Sequence, residues 1–135
     1  MMFNKIKIVE TKYVDEAIYQ VAEITEIDRT NFVCRDCNTF NYIGKGKTRL
    51  FKYYDLPIDN KKTFLTLKRK LFLCKECGAY FVDNTPDLHN KVMTKRFYSA
   101  VIDAIESNIY NNSELARMFF MNEKSIRRFK KTLSE

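Results

Sequence analysis

Cys34-Arg35-Asp36-Cys37 and Cys74-Lys75-Glu76-Cys77 are two CxxC pairs, and the chain has no other cysteine. Two residues between cysteines let a tight turn aim both sulfurs at one ion, with backbone N–H groups directed at the thiolates. Two such turns complete a tetrahedron, the geometry that structural Zn2+ prefers. The expected cofactor is one structural zinc ion on Cys34, Cys37, Cys74 and Cys77. Iron also accepts four thiolates and stays open. A thioredoxin-like redox pair fits less well, because it needs one reactive CxxC opening a helix, and both pairs here adjoin expected strands. A disulfide framework belongs to oxidising compartments. The N-terminus MMFNKIKIVE has no apolar run of signal-peptide length, and no stretch of about 18 apolar residues occurs. A soluble, cytoplasmic protein without membrane association is therefore expected.

The same inventory points away from an enzyme. Four thiolates leave no open coordination position for a substrate. His89, the only histidine, is expected in a loop and not as a ligand. The H-x-E element of zinc deaminases is missing, as are a Walker A loop, a Gly-rich dinucleotide fingerprint and G-x-S-x-G.

The elements that must position the cysteines follow from periodicity. KIKIV (residues 5–9) alternates as a short strand. Residues 13–27 mix a helical stripe with β-formers, and strand is favoured over 18–27. TRLFKYYDL (48–56) reads as a strand ended by Pro57, with turn chemistry at Asp59-Asn60. Over 63–73, Leu65, Leu67, Leu71 and Leu73 fall on one face. Phe64, Thr66, Lys68, Lys70 and Phe72 fall on the other, giving a half-buried antiparallel strand with a basic outer face. AYFVD (79–83) is a shorter strand and 84–90 a loop. From Thr94, a plausible N-cap, the period turns helical. Phe97, Ala100, Val101, Ala104, Ile105 and Ile109 make one apolar face, broken at Asn111-Asn112. Two short helices follow, over 113–120 and 123–132. The expected class is α+β: a small antiparallel β zinc-ribbon-like domain over residues 1–90, followed by a three-helix helix-turn-helix unit over 91–135.

The chain of 135 residues carries a net charge of +7, unevenly spread. Residues 43–75 hold ten basic and two acidic side chains, and residues 91–135 nine basic and five acidic. Between them, residues 76–90 are net −3. Two positive segments separated by an acidic one imply two contact surfaces for a polyanion, because neutralising phosphates releases counterions. In the C-terminal segment Leu115 and Ala116 face inward in one helix. Asn122 caps the next, with Ile126 and Phe129 as its inward anchors. The second helix of a helix-turn-helix enters the major groove. Glu123, Lys124, Ser125, Arg127 and Arg128 are thereby left toward DNA, Arg127 or Arg128 being suited to guanine. Lys130 and Lys131 suit phosphate. In the first segment Lys61, Lys62, Lys68, Arg69 and Lys70 are expected near phosphate. The expected partner is double-stranded DNA.

Arg49–Asp83, RLFKYYDLPIDNKKTFLTLKRKLFLCKECGAYFVD, resembles the N-terminal part of insertion-sequence transposases of the ISL-three type. The R…DLP run, a turn, and an alternating basic strand leading into the second Cys pair carry the likeness. Ser113–Phe129 (SELARMFFMNEKSIRRF) matches more loosely. The resemblance implies a four-cysteine zinc domain, a helix-turn-helix and binding to the terminal inverted repeats of a mobile element. The family's catalytic domain, with its acidic triad, would follow residue 135. Binding without cutting or joining is thus expected, from a truncated transposase, a domesticated protein of a phage or genomic island, or a regulator competing for transposon ends. The family shows C-P-x-C-G at its first pair, where Arg35, Asp36 and Asn38 stand here; Gly78 keeps the glycine after the second.

Two other readings stay open. Four-cysteine zinc domains also bind proteins, and Phe3, Tyr53, Tyr54 and Phe119 are candidates for an apolar docking face on a host or mobile-element protein. Alternatively, Phe51, Tyr53, Tyr54, Phe64 and Phe72, interleaved with lysines, suit the stacking of unpaired RNA bases. Oligomeric state is open, including a homodimer through the C-terminal helices.

Overall fold

The computed structural model describes residues 5–27 and 32–134. Two hairpins build the sheet. β1 (Ile6–Val14) and β2 (Ala17–Ile24) are joined at Asp15-Glu16, with Asp15 at φ 54°. β3 (Tyr42–Ile58) and β4 (Lys61–Cys74) are joined at Asp59-Asn60, both left-handed at φ 51° and 59°. Two successive positive-φ residues match the right-handed twist of the flanking strands, and Asp and Asn tolerate that conformation. β5 (Tyr80–Val82) pairs with β4 beyond the end of β2.

The hairpins meet through β2 and β4, which run parallel from Ala17↔Lys62 to Glu23↔Lys68. The sheet order is β1-β2-β4-β3. This corrects the expected fold class. The sheet is mixed and five-stranded, not a small antiparallel ribbon, and the described chain is mostly sheet, 43% strand against 25% helix. The parallel pairing brings Ile18, Ala22 and Ile24 beside Leu65 and Leu67, and Tyr53 and Ile6 complete that core.

Strand β3 starts earlier than its apolar pattern implies. Its register shifts between Gly44 and Thr48, where Gly46 takes φ 67°. A glycine inside a strand marks such a bulge, because the extra residue needs a backbone that side chains resist. Pro57 does not end the strand. It sits in a second irregularity between Asp55 and Ile58, where its missing N–H breaks no ladder.

Three helices follow: α1 (Lys95–Glu106), α2 (Asn112–Phe119) and α3 (Glu123–Leu133). Thr94 caps α1 and Asn122 caps α3, both as expected, and Asn111 forms a capping box with Glu114 on α2. α1 ends at Ser107, before the expected Asn111-Asn112 break, and Asn108 turns left-handed at φ 58°. The expected free-standing helix-turn-helix unit after a β domain is not what forms. Phe97, Val101, Leu115, Phe119 and Ile126 make the helical core, but Tyr54 of β3 pads it.

Polar contacts tie helices to sheet. Asp55, 2% exposed, accepts hydrogen bonds from the Thr94 hydroxyl at 2.8 Å, from Arg96 Nε at 2.8 Å and from Arg96 Nη2 at 2.7 Å. The Tyr54 N–H donates to Val92 and the Thr94 N–H to the Tyr54 carbonyl, so β3 pairs briefly with the segment entering α1. Removing one partner of a buried ion pair strands the other charge away from water. Asp55→Ala is therefore expected to cost about 3 kcal/mol in urea unfolding. Adding Arg96→Met should recover part of that loss. A cost under about 1 kcal/mol would show that the pair does not anchor the helices.

Candidate metal centre and cationic surfaces

Cys34 and Cys37 lie on the connection between β2 and β3; Cys74 closes β4 and Cys77 follows it. The two turns are built alike, forty residues apart in number. The Cys34 N–H donates to the Thr39 carbonyl at 3.0 Å, and the Cys74 N–H to the Ala79 carbonyl at 2.9 Å. The Asn38 N–H donates to the Cys34 carbonyl, and the Gly78 N–H to the Cys74 carbonyl. Gly78 has φ 76° and Asn38 φ 57°, so the turn needs a left-handed residue in both halves. Asparagine fills that role in the first, which accounts for the missing glycine there. The Lys75 N–H donates to the Asn41 carbonyl and joins one turn to the other.

This geometry converges the sulfurs. Cys34 Sγ lies 3.5 Å from Cys77 Sγ, and Cys37 Sγ 3.4 Å from Cys74 Sγ. All four fall within 4.8 Å of one another, and none is in a disulfide. A tetrahedron with metal–sulfur bonds of about 2.3 Å has edges of about 3.8 Å, so the cluster fits one ion. The Thr39 hydroxyl lies 3.3 Å from Cys37 Sγ and 3.5 Å from Cys74 Sγ, the kind of contact that orients ligands. Beneath the cluster Phe32, Phe72 and Phe81 form a small aromatic core, and Tyr42 packs edge-on against Phe72.

The thiols differ in acidity. Hydrogen bonds from the Cys77 N–H and the Thr39 hydroxyl bring Cys74 down to about 6. The Ala79 N–H pulls Cys77 down, but the neighbouring sulfurs and burial outweigh it and push Cys77 up to about 12. A thiol that holds its proton so far into base must be stripped of it by the ion. Affinity of the centre for a metal should fall on acidification, because protons compete with the ion for the thiolates, and fall most steeply below about 6, where Cys74 takes up its proton. Metal content measured by competition against a coloured chelator at a series of pH values checks this, and a flat profile would contradict it. His89 stays apart from the sulfurs and stacks on Tyr98 at 3.5 Å between ring centroids.

The basic side chains expected at phosphate separate into three groups. Lys70 is exposed, and Lys68, 41% exposed at its side chain, lies 3.9 Å from Glu23. Arg69 turns inward: it donates to the Asp83 carbonyl and to the Tyr53 hydroxyl at 3.1 Å, and its side chain is 16% exposed. Burial raises the Asp83 carboxyl above its usual range, against the pull of the Lys70 N–H and of Arg69. Arg69 is thus engaged within the fold. Lys61 and Lys62 stand by the Asp59-Asn60 turn. Eight residues of strand, about 26 Å, separate Lys62 from Lys70.

On α3, Lys124, Arg127, Arg128 and Lys131 are exposed along with Glu123, whereas Ser125 and Lys130 are half-buried. Lys62, Ser125 and Arg128 come together around one cleft.

Sequence reasoning passed over Lys45, Lys47, Arg49 and Lys52. All are exposed on β3, the first three within an exposed run from Ile43 to Leu50 and Lys52 just after it. The signal was the GKGK run, in which glycines betray a bulge that turns lysines outward. A hollow of about 680 Å³ between sheet and loop has Arg35, Arg49 and Lys91 on its walls. The apolar docking face does not assemble: Tyr53 is 1% and Phe119 8% exposed, and Phe3 lies outside the described residues. Of the aromatics read as a stacking set, Tyr53 and Phe72 are buried, while Tyr54 and Phe64 share a face with Tyr19.

No helix among the described residues is long and apolar enough to cross a membrane. Compared with family models, curated proteins and solved structures, the chain matches none.

Proposed function

We propose that this protein binds double-stranded DNA through the cationic β3 edge, and that the cysteine cluster holds a structural zinc ion that keeps the edge in shape. The observation that carries the reading is the junction of the two features. Cys74 pairs with Tyr42 at the start of β3, and a few residues later the same strand presents Lys45, Lys47 and Arg49 to solvent. Lys68 and Lys70 sit on the adjacent strand, at the register of Leu50 and Thr48. Cations at strand spacing match a phosphate backbone, and their neutralisation releases counterions. Lys124, Arg127 and Lys131 of α3 supply a second set of contacts. The resemblance of Arg49–Asp83 to the zinc domain of ISL-three-type transposases supports the same partner. On that resemblance we read the protein as an end-binding or regulatory factor of a mobile element.

Four thiolates closed around one position suit zinc and iron alike, and zinc is the ion proposed. Elemental analysis of freshly purified reduced protein should return one zinc per chain, and a strong chelator should lower the melting temperature markedly. Iron in the site would displace zinc from the account, and an unchanged melt with the metal shown to be gone would falsify the structural role.

For the DNA surface, a gel-shift series against salt is decisive. Affinity for duplex should fall steeply as salt rises, and Lys45→Ala/Lys47→Ala/Arg49→Ala should reduce the log–log slope by roughly 2 to 3. Binding that ignores salt, or a triple variant with the parental slope, removes the edge from the account.

A further inference from the structure

Sheet and helices enclose a cleft of about 560 Å³ at the end of the sheet away from the cysteines. Its volume lies in the range of small-ligand sites. Lys62 and Arg128 stand on its walls, and no acidic residue lines it among the described residues. An anionic occupant is favoured by that imbalance. The remaining lining is suited to a planar one. Tyr54 and Phe129 present ring surface, while Tyr98 is stacked on His89 at 3.5 Å and meets Phe129 at 5.8 Å.

The polar groups are of a kind that reads a base edge. Asn90 spends its amide oxygen on the N–H groups of Val92 and Met93, at 2.8 and 3.0 Å. Asn122 spends its oxygen on the Ser125 N–H at 2.7 Å. Both oxygens are fixed by these bonds, and both amide NH2 groups are without a partner among the described residues. They are donors left for a ligand's carbonyls.

An aromatic row backs the cleft wall at Tyr54. Tyr54 packs on Phe64 at 5.4 Å and Phe64 stacks on Tyr19 at 5.3 Å and 19°, a row across three strands. Lys52 Nζ lies 4.3 Å from the Phe64 centroid, and Lys62 Nζ 5.5 Å from that of Tyr54. Phe64 is itself buried, with Lys52 and Lys62 over its ring, so the row supports Tyr54 from behind and leaves Tyr54 to face the cleft.

We propose that the cleft binds one nucleoside monophosphate unit, its base against Tyr54 and Phe129 and its phosphate between Lys62 and Arg128. The unit comes either free or as an unpaired nucleotide of a bound strand. In the second case the inference rests on the nucleic-acid function proposed above and adds to it a site for an unpaired position.

The test uses the full, metal-loaded protein. Thymidine 5′-monophosphate is titrated while backbone amide signals are followed by NMR. Shifts at Met93, Ser125 and Asn90 support the site; shifts confined to β3, or none, overturn it. In parallel, a duplex with one bulged thymidine is compared with the perfect duplex. The bulge should bind about tenfold tighter, the scale of one stacked base, and Lys62→Ala/Arg128→Ala should bring that ratio to about one. A bulge preference untouched by the double variant overturns the assignment to this cleft. Amide shifts with the mononucleotide but no bulge preference identify the free nucleotide as the ligand. Failure of the perfect duplex to bind, with the mononucleotide still shifting cleft amides, sinks the duplex proposal and leaves the cleft standing.

Discussion

Four sulfurs within 4.8 Å of one another cannot all be thiolates unless a cation sits among them. The fold around them makes sense once that constraint is met. The two turns that carry them share little sequence beyond the cysteines, yet they repeat the same backbone bonds. One belongs to the connection after β2 and the other to the end of β4, so an ion shared by the four sulfurs would close a loop between the two hairpins. The three phenylalanines beneath the sulfurs are too few for a self-sufficient core. An ion that fixes both turns substitutes for apolar area that a unit of this size lacks.

At the opposite end of the sheet a different interaction has the equivalent role. Asp55, buried on β3, gathers Thr94 and Arg96, and the same threonine caps α1. One carboxylate thereby satisfies a helix terminus, pairs a guanidinium and aligns β3 with the segment entering α1. The exposed middle of the sheet lies between these two anchors, and its cations project from a frame that is fixed at both ends.

What the sequence made legible follows from range. The cysteine turns, the Asp59-Asn60 hairpin, the alternation of Leu65, Leu67 and Leu71, and the caps at Thr94 and Asn122 are local and were readable. The parallel alignment of β2 with β4 was not, because Ala17 and Lys62 are forty-five residues apart and periodicity does not name a partner. The full length of β1 was hidden for another reason: Ile8, Val9, Tyr13 and Val14 are exposed, so the strand shows no clean inside and outside. Residues 42–47 begin a strand despite two glycines, since the ladder to β4 overrides weak propensity. Arg69 looked like its neighbours Lys68 and Lys70, and only the third dimension brings Asp83 beneath it. A two-helix pattern near the C-terminus suggested an independent motif, whereas Tyr54 packs into the helical core and Asp55 ties the start of α1 to the sheet.

The spacing of the cysteine turns carries a consequence for biosynthesis. Cys37 leaves the ribosome forty residues ahead of Cys77. At about 5–20 residues per second the first half of the centre waits roughly 2 to 8 seconds for the second. During that interval two thiols are accessible to oxidants and to competing ions, while the β3–β4 hairpin can already zip from its own turn. The nascent chain thus acquires its cationic strand pair before the clamp that orders it.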